Sequence, residues 1–465
     1  MFIERHKNKR LTQAGVKSLG VFAVQETFTP GGFEKIMAGL EQISGQRNVY
    51  PPLAFCGASL EGNQVLAVCS ADGVREVLTN TDVFAKSPEV YGMLSEMLGQ
   101  GLATSEGKVW FDQRKRLTPM FHLHNLRSYT PLINEEGRNL AEKLRTLSNG
   151  GTAQLEVPPI FAATALNVIA RAVFGERLDI ERVGALWSVA TAQLAPFFIG
   201  ALFLPRALIK IYPPARLFLD KCAELDALFN DVVDATRAAP SKEGAFDLVA
   251  QMALLKNESG EWEIPKQLIV DECKTFTFAA QDTTSNLLSW TMYFLGQQKY
   301  AHIQDELLSE LIEHCGVDGD VDDPASLKLH RAVLQESLRL RPPVPSLDRV
   351  CVSDTILCGQ PVEKGTAIHC VMMAPQWSAE HWESPQEFKP RRWLENAERH
   401  PYSFSAFSAG SRNCIGQKLA INEATILLAC IVRSHRVHVE NADQVVMAPK
   451  GTTEPHRMQT VFRAR

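Results

Sequence analysis

Ten residues, Phe407 to Gly416 (FSAGSRNCIG), bring together a sulfur, a cation and two glycines. Cys414 follows a turn containing Gly410 and precedes a helix-like run from Gln417 to Val432. A cysteine just before a helix start sits near the positive end of the helix dipole, which favours thiolate. The N–H groups of Ile415 and Gly416 can point at its sulfur. Gly416 lacks a side chain, so a flat object can approach the backbone closely there. Arg412 can meet an anion such as a carboxylate. A thiolate in this setting suits an axial ligand of haem iron, where it pushes electron density toward O–O cleavage. An inert core thiol is the plainer alternative. The chain holds ten cysteines and no CxxC pair, so iron–sulfur and structural zinc sites are disfavoured.

Four more groupings could do chemistry. Glu336 and Arg339 stand at i and i+3, on one helix face, where they can pair. Pro342 and Pro343 then stop that helix. Pro385 to Trp393 reads PQEFKPRRW. Ala279 to Thr284 reads AAQDTT, inside a helical pattern running from Pro265 to about Gln298. Thr283 is four residues after Ala279, so its hydroxyl can reach that carbonyl and bend the helix locally. Trp110 and Arg114 are at i and i+4 and face one way along a helix. An Arg stacked on a Trp is the bland account of that pair.

Taken together these segments resemble the cytochrome P-450 haem-thiolate monooxygenases. F-x-x-G-x-R-x-C-x-G is that family's haem signature, matched by Phe407, Gly410, Arg412, Cys414 and Gly416. The E-x-x-R helix, the P-x-x-F-x-P-x-R-W segment and the A/G-G-x-D/E-T-T/S segment follow the family's pattern as well. The resemblance implies a mainly α fold with a minor β region around one haem b. That haem is held noncovalently except through Cys414. It implies a buried triad of Glu336, Arg339 and Arg392. It gives Thr283 a role in oxygen activation and Asp282 one in proton delivery, with Ala279 beside the haem. Trp110, Arg114, Arg349 and Arg412 become partners of the haem carboxylates. His122 and His124 are read as surface residues or as lying one step from the site. Ala280 departs from the usual Gly, and its methyl narrows the oxygen groove or alters substrate fit. The Arg-type haem motif and Gly101 to Phe121 are similar to the eukaryotic-like, fatty-acid-oxidising branch. Many members there carry a Glu in place of Ala279 that binds haem covalently; Ala279 predicts noncovalent haem.

The elements that must position these residues are mostly helical. Apolar positions recur at three- and four-residue spacing over residues 131–149, 160–175, 215–238 and 265–313. Gln64 to Cys69, Asp354 to Leu357 and Ala367 to Val371 read as strands, and Val317 to Pro324 (VDGDVDDP) as a loop. Strand segments drawn from distant parts of the chain argue for one large domain over residues 26–465, after a basic arm at 1–25. The most apolar stretch, Leu194 to Leu204, is bracketed by Pro196 and Pro205 and is not expected to form one long helix. It reads as a buried connection, a loop dipping into a membrane surface, or the lining of a greasy entrance.

Composition bounds the rest. The chain has 465 residues, is 45% hydrophobic and 22% charged, and carries 48 basic against 53 acidic residues, a net charge of −5. That excludes a disordered polymer and argues against nucleic acid. No stretch approaches the roughly 20 apolar residues of a spanning helix, so no transmembrane helix is expected. Residues 5–25 hold no acid, which reads as a solvated arm or faintly as a transit segment. The expected partners are O2, a small lipophilic substrate and a separate reductase or ferredoxin, since the 51 residues after Cys414 are too few for a flavin domain. Lys115, Arg116, Lys389, Arg391 and Lys418 either receive that acidic donor or are simply solvated. A monomer in the cytoplasm is expected, with peripheral membrane contact at 194–214 or an organelle as alternatives. A peroxide-driven or rearranging haem-thiolate enzyme is the second functional reading, and a gas sensor or electron carrier the third.

Overall fold

The structure is a computed structural model that describes residues 29–58, 64–175, 177–203, 206–209, 211–239 and 248–465. The basic arm at 1–25, Pro205 and Lys210 lie outside the described residues. The helices that position the site are α1 (Gly107–Leu117), α2 (Val157–Phe174), α3 (Ile180–Phe203), α4 (Pro213–Ala238), α5 (Lys266–Leu295), α6 (Lys328–Leu340) and α7 (Gln417–Ser434). The chain divides into two compact units.

The first unit comprises Met1–Val90, Arg331–Cys414 and Asp443–Arg457. Its main sheet is built from β1 (Leu53–Ala58), β2 (Gln64–Val68), β3 (Phe84–Lys86), β4 (Leu347–Cys351) and a fifth strand, Ala367–Cys370. The order is β1, β2, the fifth strand, β4, β3. Only the contact between β2 and the fifth strand is parallel. Leu66, Val68, Val74, Val77, Phe84 and Ile368 form its apolar core. A short hairpin pairs Thr355–Leu357 with Gln360–Val362. The three expected strand segments are therefore strands, each within a residue or two of the predicted ends.

The second unit comprises Tyr91–His330, Ile415–Ala442 and Met458–Arg465 and is mostly helical. α5 is its spine: 30 residues, about 45 Å at 1.5 Å per residue. Pro265 caps its start and Gly296 its end. The continuous pattern expected over 265–313 is thus broken at Gly296, where a Cβ would meet Val439 N at 2.8 Å and Met292 O at 2.9 Å. A second helix, Ala301–Cys315, resumes after that break. α2 packs along α5, and α4 packs against both α3 and α5. α2 is long and apolar enough to cross a membrane, with mean hydropathy 1.6, but 61% of it is buried inside the protein.

The stretch at 194–204 corrects the sequence expectation. α3 runs through Pro196 to Phe203 without a break. Proline removes one backbone hydrogen bond, and burial of the flanking side chains offsets that loss. Phe197 stacks on Phe218 of α4 with ring centroids 4.4 Å apart and meets Phe198 edge-on at 6.2 Å. Phe197 and Phe198 are therefore core residues between α3 and α4. Beyond them, Leu208 and Ile211 are exposed, Ile211 to 70%.

Candidate active site

Cys414 is held by a strained turn. Ser408 and Gly410 have φ of 59° and 67°, in the left-handed region. A Cβ at Gly410 would lie 2.6 Å from Leu78 O, so only glycine fits. The Cys414 N–H donates to Phe407 O at 2.9 Å, and the Asn413 N–H donates to Gly410 O at 3.2 Å. Gly416 is the N-cap of α7, so Cys414 lies three residues before the first helical residue, as expected. Among the nine described cysteines Cys414 alone is exposed. Burial pushes the thiols of Cys222 and Cys370 up to about 12 and that of Cys430 up to about 11. Those three are inert packing residues at neutral pH.

The expected triad is present and more elaborate than the motif implies. Glu336 Oε1 accepts Arg339 Nη2 at 2.8 Å, Arg392 Nε at 3.1 Å and the Lys389 N–H at 3.0 Å. Its Oε2 accepts Arg339 Nε at 2.9 Å and Trp393 Nε1 at 2.8 Å. Arg339 Nη1 donates to Gln376 O and Pro385 O, both at 2.7 Å. Burial lowers the Arg392 guanidinium from its ordinary value, and Glu336 pulls it back up. Trp393, the last residue of the PQEFKPRRW segment, is the member that the salt-bridge reading missed.

On α5 the Thr283 hydroxyl donates to Ala279 O at 2.8 Å, as the spacing predicts. The helix is buried from Ile269 to Thr277 and again from Thr284 to Met292. Between them Phe278 to Thr283 is half-exposed. Ala279, Ala280, Asp282 and Thr283 thus lie on a half-exposed segment between two buried stretches of the spine. Gln281 Oε1 is buried there with no hydrogen-bond partner among the described residues. The Asp282 carbonyl accepts Ser285 Oγ at 3.1 Å. α5 is helical from Lys266 to Leu295 across this bond.

The expected anion partners sit on three elements. Trp110 and Arg114 are half-buried on α1, Arg349 is buried on β4, and Arg412 is half-buried in the turn Gly410–Arg412. Lys86 was not singled out from the sequence. It is buried on β3 directly opposite Arg349, so two cations meet on one sheet face. Only the register of β3 on β4 reveals it. Of the other basic residues, Arg116 pairs with Glu263 at 3.0 Å and Lys389 with Glu387 at 2.9 Å. Lys115, Arg391 and Lys418 are exposed, as is His122.

Taken unit by unit, these features fit a haem: in the first unit an exposed thiol in a turn that demands glycine and a buried arginine suited to a carboxylate, in the second a half-exposed hydroxyl-bearing segment of α5. Among the described residues no cluster of three or more His, Cys, Asp or Glu could hold a metal ion instead. Comparison with solved structures gives the fold first. The fold matches the crystal structure of the cytochrome P450DA heme domain with a TM-score of 0.83, over 97% of this chain and 98% of that one, at 20% identity. The chain belongs to the cytochrome P450 family, whose model matches residues 53–460. Similar curated proteins include cytochrome P450 4F4 of Rattus norvegicus, 29% identical over 86% of this chain and 80% of its own length. Cytochrome P450 4F11 of Homo sapiens is 28% identical over 80% and 75%. Cytochrome P450 4V2 of Pongo abelii is 30% identical over 79% and 74%. The chain is therefore a haem-binding monooxygenase of the oxidoreductase class; cytochrome P450s in general use O2, lipophilic substrates and redox partners.

Proposed function

We propose that the protein inserts one oxygen atom from O2 into a lipophilic organic substrate, with Cys414 as the axial thiolate of a noncovalent haem b. Residues 26–465 act as one haem domain, and electrons come from a separate NAD(P)H-linked donor. The observation that carries the reading is the exposure of Cys414 alone among the described cysteines, in a turn that admits no side chain at Gly410.

The haem, when bound, supplies oxygen activation and the oxidising power. The chain does the rest. Arg114, Arg349, Arg412 and Trp110 orient it by its carboxylates, with Lys86 as a further cation. Phe407 and Gly416 bound the turn around Cys414. The Thr283 hydroxyl, held by Ala279 O, is placed to hold and pass a proton, and Asp282 beside it supplies the next one. Ala279 carries no carboxyl, so no ester to haem is expected. Lys115, Arg391 and Lys418 offer positive charge to an acidic donor. The exposed Leu208 and Ile211 give a patch for peripheral contact with a membrane from an otherwise cytoplasmic protein.

The test is the carbon monoxide difference spectrum of the reduced holoprotein. A thiolate-type Soret band in the wild type and its loss in Cys414→Ser are expected. A wild-type spectrum without that band overturns the proposal. NAD(P)H-dependent product formation that needs an added donor protein, with none from peroxide alone, separates it from a peroxide-driven enzyme.

A further inference from the structure

α1 is tied to α5 through the segment that leads into it. The segment Gly99 to Ser105 leads into α1 and lies on two consecutive carboxylates of α5, Asp271 and Glu272, both buried. Asp271 Oδ2 accepts the Gln100 N–H at 2.8 Å, and Glu272 Oε2 accepts the Leu102 N–H at 3.1 Å. Two glycines permit this approach. A Cβ at Gly99, where φ is +62°, would lie 2.0 Å from Asp271 Oδ1, and one at Gly101 would lie 2.1 Å from Thr275 Oγ1. Buried Lys274 compensates the charge, meeting Asp271 at 3.2 Å and Asp226 of α4 at 2.6 Å. Gln267 Nε2 donates to Asp271 Oδ1 at 3.0 Å.

The same segment is gripped from α1. Gln113 is buried, and both ends of its amide are used. Its Nε2 donates to Gln100 O at 3.0 Å, and its Oε1 accepts Ser105 Oγ at 2.8 Å. Gln100 thus gives its N–H to α5 and its carbonyl to α1. Buried polar groups satisfied in this way fix a geometry more than they add stability. Gln113 immediately precedes Arg114 and follows Trp110 by three residues. Whatever fixes the rotation of α1 about its axis at Gln113 also fixes where those two side chains point.

We propose that Gln113 is a positioning residue for haem retention: the Asp271–Gln100–Gln113 bridge holds α1 at the rotation that presents Trp110 and Arg114 to the haem carboxylates. This rests on the reading of Arg114 as a haem partner. The bridge also makes haem anchoring depend on the helix that carries Thr283.

The experiment follows haem transfer from the holoprotein to excess apomyoglobin, for wild type, Gln113→Met, Ser105→Ala, Arg114→Ala and the Gln113→Met/Arg114→Ala double variant. Gln113→Met is expected to lose haem about tenfold faster than wild type. Ser105→Ala, which removes one of the two Gln113 contacts, is expected to fall between. It also carries the test if Gln113→Met does not fold. Arg114→Ala speeds the loss, and the double variant loses haem by less than the product of the two singles, because Gln113 acts in part through Arg114 and in part through Trp110. Wild-type rates in both Gln113→Met and Ser105→Ala overturn the bridge. So does a double variant whose effect is the product of the two singles. A wild-type rate in Arg114→Ala instead overturns the reading of Arg114 as a haem partner.

Discussion

Two helices of this molecule treat their polar side chains in opposite ways. On α6, Glu336 accepts five hydrogen bonds from four residues, and Arg339 gives its remaining donors to backbone carbonyls. Both side chains are fully buried. On α5, the segment Phe278 to Thr283 is half-exposed between two buried stretches, and a glutamine oxygen there has no partner among the described residues. A group that only holds a shape must be satisfied, because a buried charge without partners is costly. A group that handles protons must keep part of its capacity for a reactant. The saturation of one region and the partial exposure of the other separate scaffold from chemistry without reference to any motif.

Removing a member of the saturated knot gives the largest effect. Glu336→Ala leaves Arg339 and Arg392 buried without their carboxylate, a loss of about 3–5 kcal/mol. The expected outcome is protein that expresses poorly or carries no haem, read as the haem-to-protein ratio and the melting temperature. Stoichiometric haem and a wild-type melt would show that the knot is not needed for holding the fold around the cofactor.

Of the knot, the Glu336–Arg339 pair was legible as residue types at fixed spacing, since the two share one turn and Pro342 ends their helix, while Arg392 was implied by the family resemblance. The Cys414 turn and the Thr283 bond were legible for the same reason: both are local, set within four to seven residues of chain. What escaped was set by distant partners. Lys86 becomes notable only when β3 pairs with β4 and brings it opposite Arg349. Gln113 becomes notable only when Gly99 and Gly101 let their segment settle on Asp271. Pro196 misled because its helix-breaking tendency is local, whereas the packing of Phe197 on Phe218 of α4 is not.

A second buried glutamate sharpens the comparison. Glu423 on α7 is as inaccessible as Glu336, yet its Oε1 has no hydrogen-bond partner among the described residues. Burial alone pushes its carboxyl up to about 8. Glu336 is offset by cations; Glu423 is accommodated by keeping its proton. The native state therefore holds a proton that the unfolded chain releases once pH exceeds about 4.3. Stability from this source is complete below that value and falls as pH rises through the window up to about 8, by about 1.4 kcal/mol per unit. Glu423→Gln stays neutral at every pH, so its melting temperature should lose that part of the decline. Denaturation of both proteins from pH 5 to 9 checks this, and parallel pH profiles would mean that Glu423 is ionised or solvated in the native protein.

The smallest expected effect probes the half-exposed segment against its own helix. Thr283 and Thr291 make the same bond, hydroxyl to the carbonyl four residues back, at 2.8 Å in each case. Thr291 is fully buried and Thr283 is half-exposed. If the bond only relieves the helix, the two alanine variants should behave alike. If exposure makes the Thr283 hydroxyl a proton carrier, only Thr283→Ala should lower the product formed per NAD(P)H consumed. The expected loss is about tenfold, below the ~10²–10⁴ of a fully committed acid or base, because a water can take the place of the missing hydroxyl. Substrate binding, read from the haem spectrum, should stay at the wild-type level in Thr283→Ala. Thr291→Ala should lower the melting temperature and leave the product ratio alone. Equal losses in the two variants would reduce Thr283 to a helix-packing residue, and proton delivery would then fall to Asp282 alone.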